Sequence, residues 1–184
     1  MIKTLTHTLI IGAAFIGGFA THTLMDSRKD ENFKAARIID GDSFEIANIW
    51  LTEIRLNAID TPEKGRLFYT EATQKLKALC FQKDIILKNK ADGRFGRISA
   101  DVYCDGTFVN PKIIEAGLAI VSIKHAKDAA LYDIQYQARQ SCRGIWSHDI
   151  RKIYDEDKLR AAAPSGEIVQ ITNNPDCKIK LASN

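Results

Sequence analysis

Two hydrophobic periods share this chain, and the switch between them limits its fold more tightly than any other feature. Ile54, Leu56 and Ala58 repeat at every second position, as on one face of a half-buried strand. Tyr69, Ala72, Leu76, Leu79 and Cys80 instead repeat at steps of three and four, the stripe of an amphipathic helix. Strand character also fills residues 33–39 and 43–46, on either side of the turn Asp40-Gly41-Asp42, and continues over 49–56. Further strands are expected at 84–88 and 97–103, the latter turning at Asp105-Gly106 into 107–109. Pro62 and Gly65 mark a loop before the helical stripe. Asn110, followed by Pro111, is expected to cap a short helix that Gly117 ends. A second long helix is expected over 129–143, burying Leu131, Ile134, Ala138 and Cys142 and stopping at Gly144. Strands first and helices late define an α+β class, an antiparallel sheet of about five strands rolled into a small barrel with about three helices.

The first residues stand outside that domain. Lys3 is the only charged residue before Asp26, and residues 9–20 form an unbroken run of apolar and small residues. A short positive start followed by such a run reads as a signal peptide, with Gly18 and Ala20 at the positions a signal peptidase reads. Residues 4–25 carry no Asp, Glu, Lys or Arg, so an uncleaved membrane anchor is the competing reading. The expected organisation is signal or anchor at 1–25, spacer at 26–32, one domain at 33–147 and a polar C-terminal extension at 148–184, with 161–166 read as a linker. Either reading exports the protein, to the periplasm, the medium or the outer side of a membrane.

All four cysteines, Cys80, Cys104, Cys142 and Cys177, follow that segment. An even number in an oxidising compartment predicts one or two disulfides, with all three pairings open. No Cys-x-x-Cys occurs, and neither His125 nor His148 has a second His at ligand spacing, so a zinc site is not expected. A length of 184 residues, 45% of them hydrophobic and 27% charged, excludes chain-wide disorder and two full-sized domains. The net charge of +3 is too small for chain-wide electrostatic wrapping of nucleic acid, so a polyanion would have to be handled at a focused site.

Three clusters place carboxylates and arginines beside turns rather than on helix faces. They are Asp40-Gly41-Asp42-Ser43, then Arg55-Leu56-Asn57-Ala58-Ile59-Asp60-Thr61-Pro62-Glu63, then Asp92-Gly93-Arg94-Phe95-Gly96-Arg97. Each alone reads as a solvated turn. In this order they resemble the staphylococcal nuclease (thermonuclease) family, whose pattern is a DGD[TS] turn, an RL-x-x-IDTPE strand end and a YGR before a strand. The resemblance continues through Tyr69-Thr70-Glu71-Ala72, Asn110, Glu115-Ala116-Gly117-Leu118-Ala119 and Gly144-Ile145-Trp146-Ser147, and so covers residues 33–147. The stretch from Arg55 to Glu63 is its most specific part.

The resemblance implies an OB-fold-type barrel and a Ca²⁺-dependent nuclease that cuts DNA and RNA with little sequence preference, leaving 3′-phosphate ends. Asp42, Asp60 and the carbonyl of Thr61 would bind the ion, since hard oxygens with waters suit Ca²⁺. Arg55 and Arg97 would hold the phosphate through their planar, always-charged forks. Glu63 would orient or deprotonate the attacking water. Asp40 takes a supporting role, and Ser43 supplies a hydroxyl beside the ion ligands. For the arginines, the competing reading is surface pairing with carboxylates such as Glu53.

This chain departs from the family pattern in places. Phe95 stands for the Tyr of YGR, Ile123 and His125 stand for two nucleotide-holding tyrosines, and the loop between Glu63 and Tyr69 is shorter. Base stacking would fall to His125, with Lys124 and Lys127 available to phosphates. A monomer is the family default, with DNA or RNA as its partner. Two other readings compete. One is an OB module that binds nucleic acid or protein without cleaving it, and the other is an anchored envelope scaffold. Retention of Asp42, Arg55, Asp60, Glu63 and Arg97 together favours the enzyme.

Overall fold

The turn Asp40-Gly41-Asp42 folds the chain back on itself, pairing β1 (Ala35–Ile38) antiparallel with β2 (Ser43–Ala47). A Cβ on Gly41 would lie 2.5 Å from the Ala72 Cβ and 2.9 Å from the Thr61 Oγ1, so only glycine lets this turn approach both neighbours. In this computed structural model the described residues are 32–47, 51–93, 96–122, 129–163, 171 and 177. The N-terminal segment read above as signal or anchor lies outside them, apart from the last residue of the spacer. Among the described residues no helix is long and apolar enough to cross a membrane.

Strand β2 pairs antiparallel with β3 (Leu51–Leu56), and β5 (Ile85–Asp92) with β6 (Ile98–Cys104). The short β7 (Thr107–Phe108) follows the expected Asp105-Gly106 turn and adds to β6. The main sheet runs in the order β1-β2-β3-β6-β5. Here the antiparallel expectation needs correction, because β3 and β6 run parallel, with Arg55 opposite Ser99. A parallel pair needs a crossover connection, which α1 (Tyr69–Cys80) and β5 supply. Among the described residues the two edges of the sheet meet at a single bridge just before β1, where Phe33 and Ile85 exchange two hydrogen bonds of 2.9 Å. The sheet is therefore mixed and not closed by a continuous ladder. A separate two-stranded pair joins β4 (Ile59–Asp60) to β8 (Ile120–Val121).

The helical stripe at 69–80 forms as expected, with Ala72, Leu76 and Cys80 buried. The short helix is α2 (Val109–Glu115), and Asn110 does not cap it. The chain enters through Phe108, and Asn110 lies within the first turn, almost fully buried. Its Oδ1 accepts from Val102 N at 3.0 Å and its Nδ2 donates to Asn57 O at 2.9 Å, tying α2 to β6 and to the end of β3. The second long helix is α3 (Ala130–Gln140), where Gln135 is buried between Leu131 and Ala138 and Cys142 lies beyond the helix end. Gly117 and Gly144, both at positive φ, pack backbone against backbone, and Ile145 N donates to Gly117 O at 2.8 Å.

One core gathers Phe44, Ile54, Leu56, Leu76, Ile85 and Val102 between the sheet and α1–α2. A second joins Ile120, Ala138, Trp146, Ile153, Tyr154 and Leu159. Residues 161–163, expected as the start of a linker, instead end a fourth helix, α4 (Glu156–Ala162), with Ala162 and Ala163 buried. The cysteines pair as Cys80–Cys104, joining the ends of α1 and β6, and as Cys142–Cys177, joining the turn after α3 to the C-terminal extension.

Candidate active site

Cross-strand register brings the first cluster to the second. Ser43 lies opposite Arg55 in the β2–β3 ladder, so the Arg55 guanidinium stands next to Asp42. Arg55 Nη1 donates to Asp42 Oδ1, and its Nη2 donates to Asp60 Oδ1 at 2.7 Å. One planar fork therefore bridges two carboxylates that lie 18 residues apart (60 − 42) in sequence. Pairing of β4 with β8 fixes the backbone of Asp60, and Tyr154 Oη donates to its carbonyl at 3.0 Å.

Asp42 is only 1% exposed. Its Oδ1 also accepts from Ser43 Oγ at 3.0 Å, and its Oδ2 from Thr61 N at 2.8 Å. Asp40 takes the supporting position expected for it, its Oδ1 accepting from Asp42 N at 3.0 Å. Burial pushes the Asp42 carboxyl up to about 6, against the opposing pull of Arg55. Burial likewise raises Asp60, with Lys158 and Arg55 acting against it. Both shifts describe a site whose carboxylates have lost water and regained it only partly through cations.

Glu63 follows Pro62 on an extended segment and is largely solvent-facing, with 69% of its side chain exposed. Its Oε1 accepts from Lys158 Nζ at 2.7 Å, and that hydrogen bond holds its carboxyl below the ordinary glutamate range. The same ammonium lies 2.9 Å from Asp60 Oδ2. Sequence reasoning missed Lys158 and Tyr154, because both fall in the polar extension after residue 147. The readable signal was Asp155-Glu156-Asp157 before Leu159 and Ala162, acidic residues opening a short amphipathic helix.

Arg97 stands apart from this cluster. It immediately precedes β6, and its Nη1 lies 3.4 Å from Glu53 Oε1. That position is two residues ahead of Ser99, the partner of Arg55. The structure thus joins Asp42, Arg55, Asp60 and Thr61 directly and links Glu63 to them through Lys158, while Arg97 is engaged by Glu53. Lys124 and His125, expected at the substrate, lie outside the described residues, as do Arg94, Phe95, Ile123 and Lys127.

Among the described residues, no group of three or more His, Cys, Asp or Glu side chains is gathered to hold a metal ion. The available donors are two carboxylates with backbone carbonyls nearby. Asp60 Oδ2 is buried without a well-aligned hydrogen bond, its contact being the Lys158 ion pair. Hard oxygens in this number fit a cation that keeps several waters and do not fit a closed structural zinc site.

On this α+β fold two carboxylates lie under one arginine, with a third carboxylate facing solvent. The chain belongs to the staphylococcal nuclease homologue family, which matches residues 53–148, and it is a hydrolase of the nuclease class. It is 35% identical over 120 residues to an uncharacterized endonuclease of Escherichia coli, an overlap of 64% of this chain and 78% of that protein. It is 30% identical over 126 residues to a micrococcal nuclease of Shigella flexneri, covering 62% and 72% respectively. A staphylococcal-like nuclease of Arabidopsis thaliana, CAN1, is 33% identical over 94 residues, or 51% of this chain and 29% of that protein.

Proposed function

We propose that this protein is an exported, Ca²⁺-dependent endonuclease that hydrolyses phosphodiester bonds of DNA and RNA to 3′-phosphate ends. The observation that carries the reading is the Arg55 fork, which touches Asp42 and Asp60 together beside the buried Thr61, while Glu63 at the end of the same segment faces solvent. Asp42, Asp60 and the Thr61 carbonyl would hold the ion, which when bound supplies Lewis-acid stabilisation of the phosphate.

A phosphodiester is anionic and repels nucleophiles, so cations must surround the phosphorus. Arg55 supplies one such group from inside the acidic cluster. Arg97 supplies a second after exchanging Glu53, 3.4 Å away in a partly exposed ion pair, for the phosphate. Glu63 receives a hydrogen bond from the attacking water and aims its oxygen at phosphorus. As water adds, the bond to the 5′ oxygen breaks, leaving a 5′-hydroxyl and a 3′-phosphate. Lys124 and His125 are assigned to substrate contact on the family resemblance.

Export is supported by the leader-like residues 1–25 and by two disulfides, which persist in oxidising compartments. A cleaved signal and a retained anchor are both compatible with it. The protein acts as a monomer, its nuclease domain at 33–147 followed by the extension at 148–184.

Digestion of single-stranded and duplex DNA tests the reading. Cleavage should need Ca²⁺, stop with chelator and fall by orders of magnitude in Glu63→Gln. Equal cleavage with chelator, or by the variant, defeats the mechanism. Binding without cleavage under every metal would instead make the protein a nucleic-acid-binding module.

A further inference from the structure

The acidic cluster already contains a cation supplied by the C-terminal extension. Lys158, on α4, sets its ammonium 2.9 Å from Asp60 Oδ2 and 2.7 Å from Glu63 Oε1. It is held there by the burial of its neighbours Leu159 and Ala162 in the second core and by Tyr154, which docks on the Asp60 carbonyl. The fold thus fixes the base of α4 independently of any attraction between Lys158 and the carboxylates. Asp60 has its Oδ1 on Arg55 and its Oδ2 facing Lys158, so both oxygens of this expected ion ligand meet a protein cation.

We propose that Lys158 is a resident counter-cation of the nuclease site: it neutralises Asp60 and Glu63 in the ion-free protein, and a divalent cation engages Asp60 only by displacing it. This rests on the assignment of Asp42 and Asp60 as ion ligands. A cavity of about 190 Å³, lined by Asp60, Ile120, Ser122, Asp157, Lys158 and Ala161, adjoins the contact and gives the flexible side chain room to swing away. The extension thereby sets the ion affinity of the site. Without it, two buried or half-buried carboxylates would share Arg55 alone and bind a divalent ion more tightly.

Calorimetric titration with Ca²⁺, with Tb³⁺ luminescence as a second probe, reads the effect without any substrate. Lys158→Gln should tighten binding by about tenfold or more, because a unit charge within hydrogen-bonding distance of a ligand carboxylate opposes the incoming ion. Lys158→Arg, which keeps the charge, should stay near wild type. Acetylation of Lys158, followed by mass spectrometry, should speed up when Ca²⁺ is added. Unchanged or weaker binding by Lys158→Gln, or acetylation indifferent to Ca²⁺, overturns the proposal. Asp60→Asn separates the two levels of the argument. If it weakens binding while Lys158→Gln does not tighten it, only the counter-cation role falls. If wild type binds no ion, or Asp60→Asn binds as well as wild type, the ligand assignment falls and takes the proposal with it.

Discussion

Lys158 donates to Glu63 across 95 residues of sequence, at 2.7 Å. The contact joins α4 to the loop before α1 and draws a segment outside the most specific family motif into the charge balance of the site. Four cationic or donor groups, Arg55, Lys158, Thr61 N and Ser43 Oγ, serve the carboxylates of Asp42, Asp60 and Glu63. The expectations below follow from that arrangement and from the packing that supports it.

Arg55 carries two roles that separate by substitution. Arg55→Lys keeps the charge but loses the planar fork, so cleavage should fall on the order of 10³-fold while the fold survives. Arg55→Met leaves buried Asp42 without its cation and should cost about 3 kcal/mol in urea unfolding. Equal stability losses in the two variants would mean that charge does not hold Asp42 in place.

Asp42 makes the ion-free protein pH-dependent in an unusual direction. Its carboxyl rises from the ordinary 3.8 to about 6 on folding, so between these values the native state binds more protons than the unfolded chain. The Asp42 contribution to stability in chelator, read as the difference between wild type and Asp42→Asn, should therefore fall as pH rises from about 4 to about 6. Saturating Ca²⁺ should offset the loss at neutral pH by binding the ionised carboxylate. A urea midpoint that climbs over the same range in wild type but not in Asp42→Asn would contradict this assignment.

Asn110 satisfies two backbone groups at once, Val102 N and Asn57 O. Asn110→Ala orphans both in a buried setting and should destabilise by about 1–3 kcal/mol. Asn110→Asp keeps an acceptor for Val102 N but offers no donor to Asn57 O, and should not rescue the loss. Guanidinium unfolding of the three proteins is the measurement.

The Cys80–Cys104 bridge closes a loop spanning 24 residues between α1 and β6. Replacing both cysteines with alanine should lower stability by about 3 kcal/mol, the loop-closure entropy returned to the unfolded chain. Both disulfides also predict that thiol labelling of native protein finds no reactive cysteine until reductant is added, since the described structure holds none free. Four labelled thiols in the exported protein would remove both bridges.

Local rules fixed much of this molecule before any tertiary contact. The alternation at Ile54 and Leu56, the stripe from Tyr69 to Cys80 and the turn at Asp40-Gly41-Asp42 need only neighbours a few residues away, and each stands where the pattern put it, whereas Ala58, expected on the same strand face, is buried in the turn after β3 at positive φ. The dense motif from Arg55 to Glu63 was legible for the same reason, since one strand end and its loop carry most of the cluster. Long-range contacts decided the rest. Strand alternation is the same whether a partner runs parallel or antiparallel, so the β3–β6 pairing could not be read from it. Asn110 looked like a cap because its preference for helix starts is local, whereas its work as a clamp depends on β6 and Asn57. The choice among three cysteine pairings required the ends of α1 and β6 to meet. Lys158 could not be singled out within the polar extension, because a lysine on a short helix has no partner until that helix docks, and docking is set by Leu159, Ala162 and Tyr154 reaching a core built from distant segments.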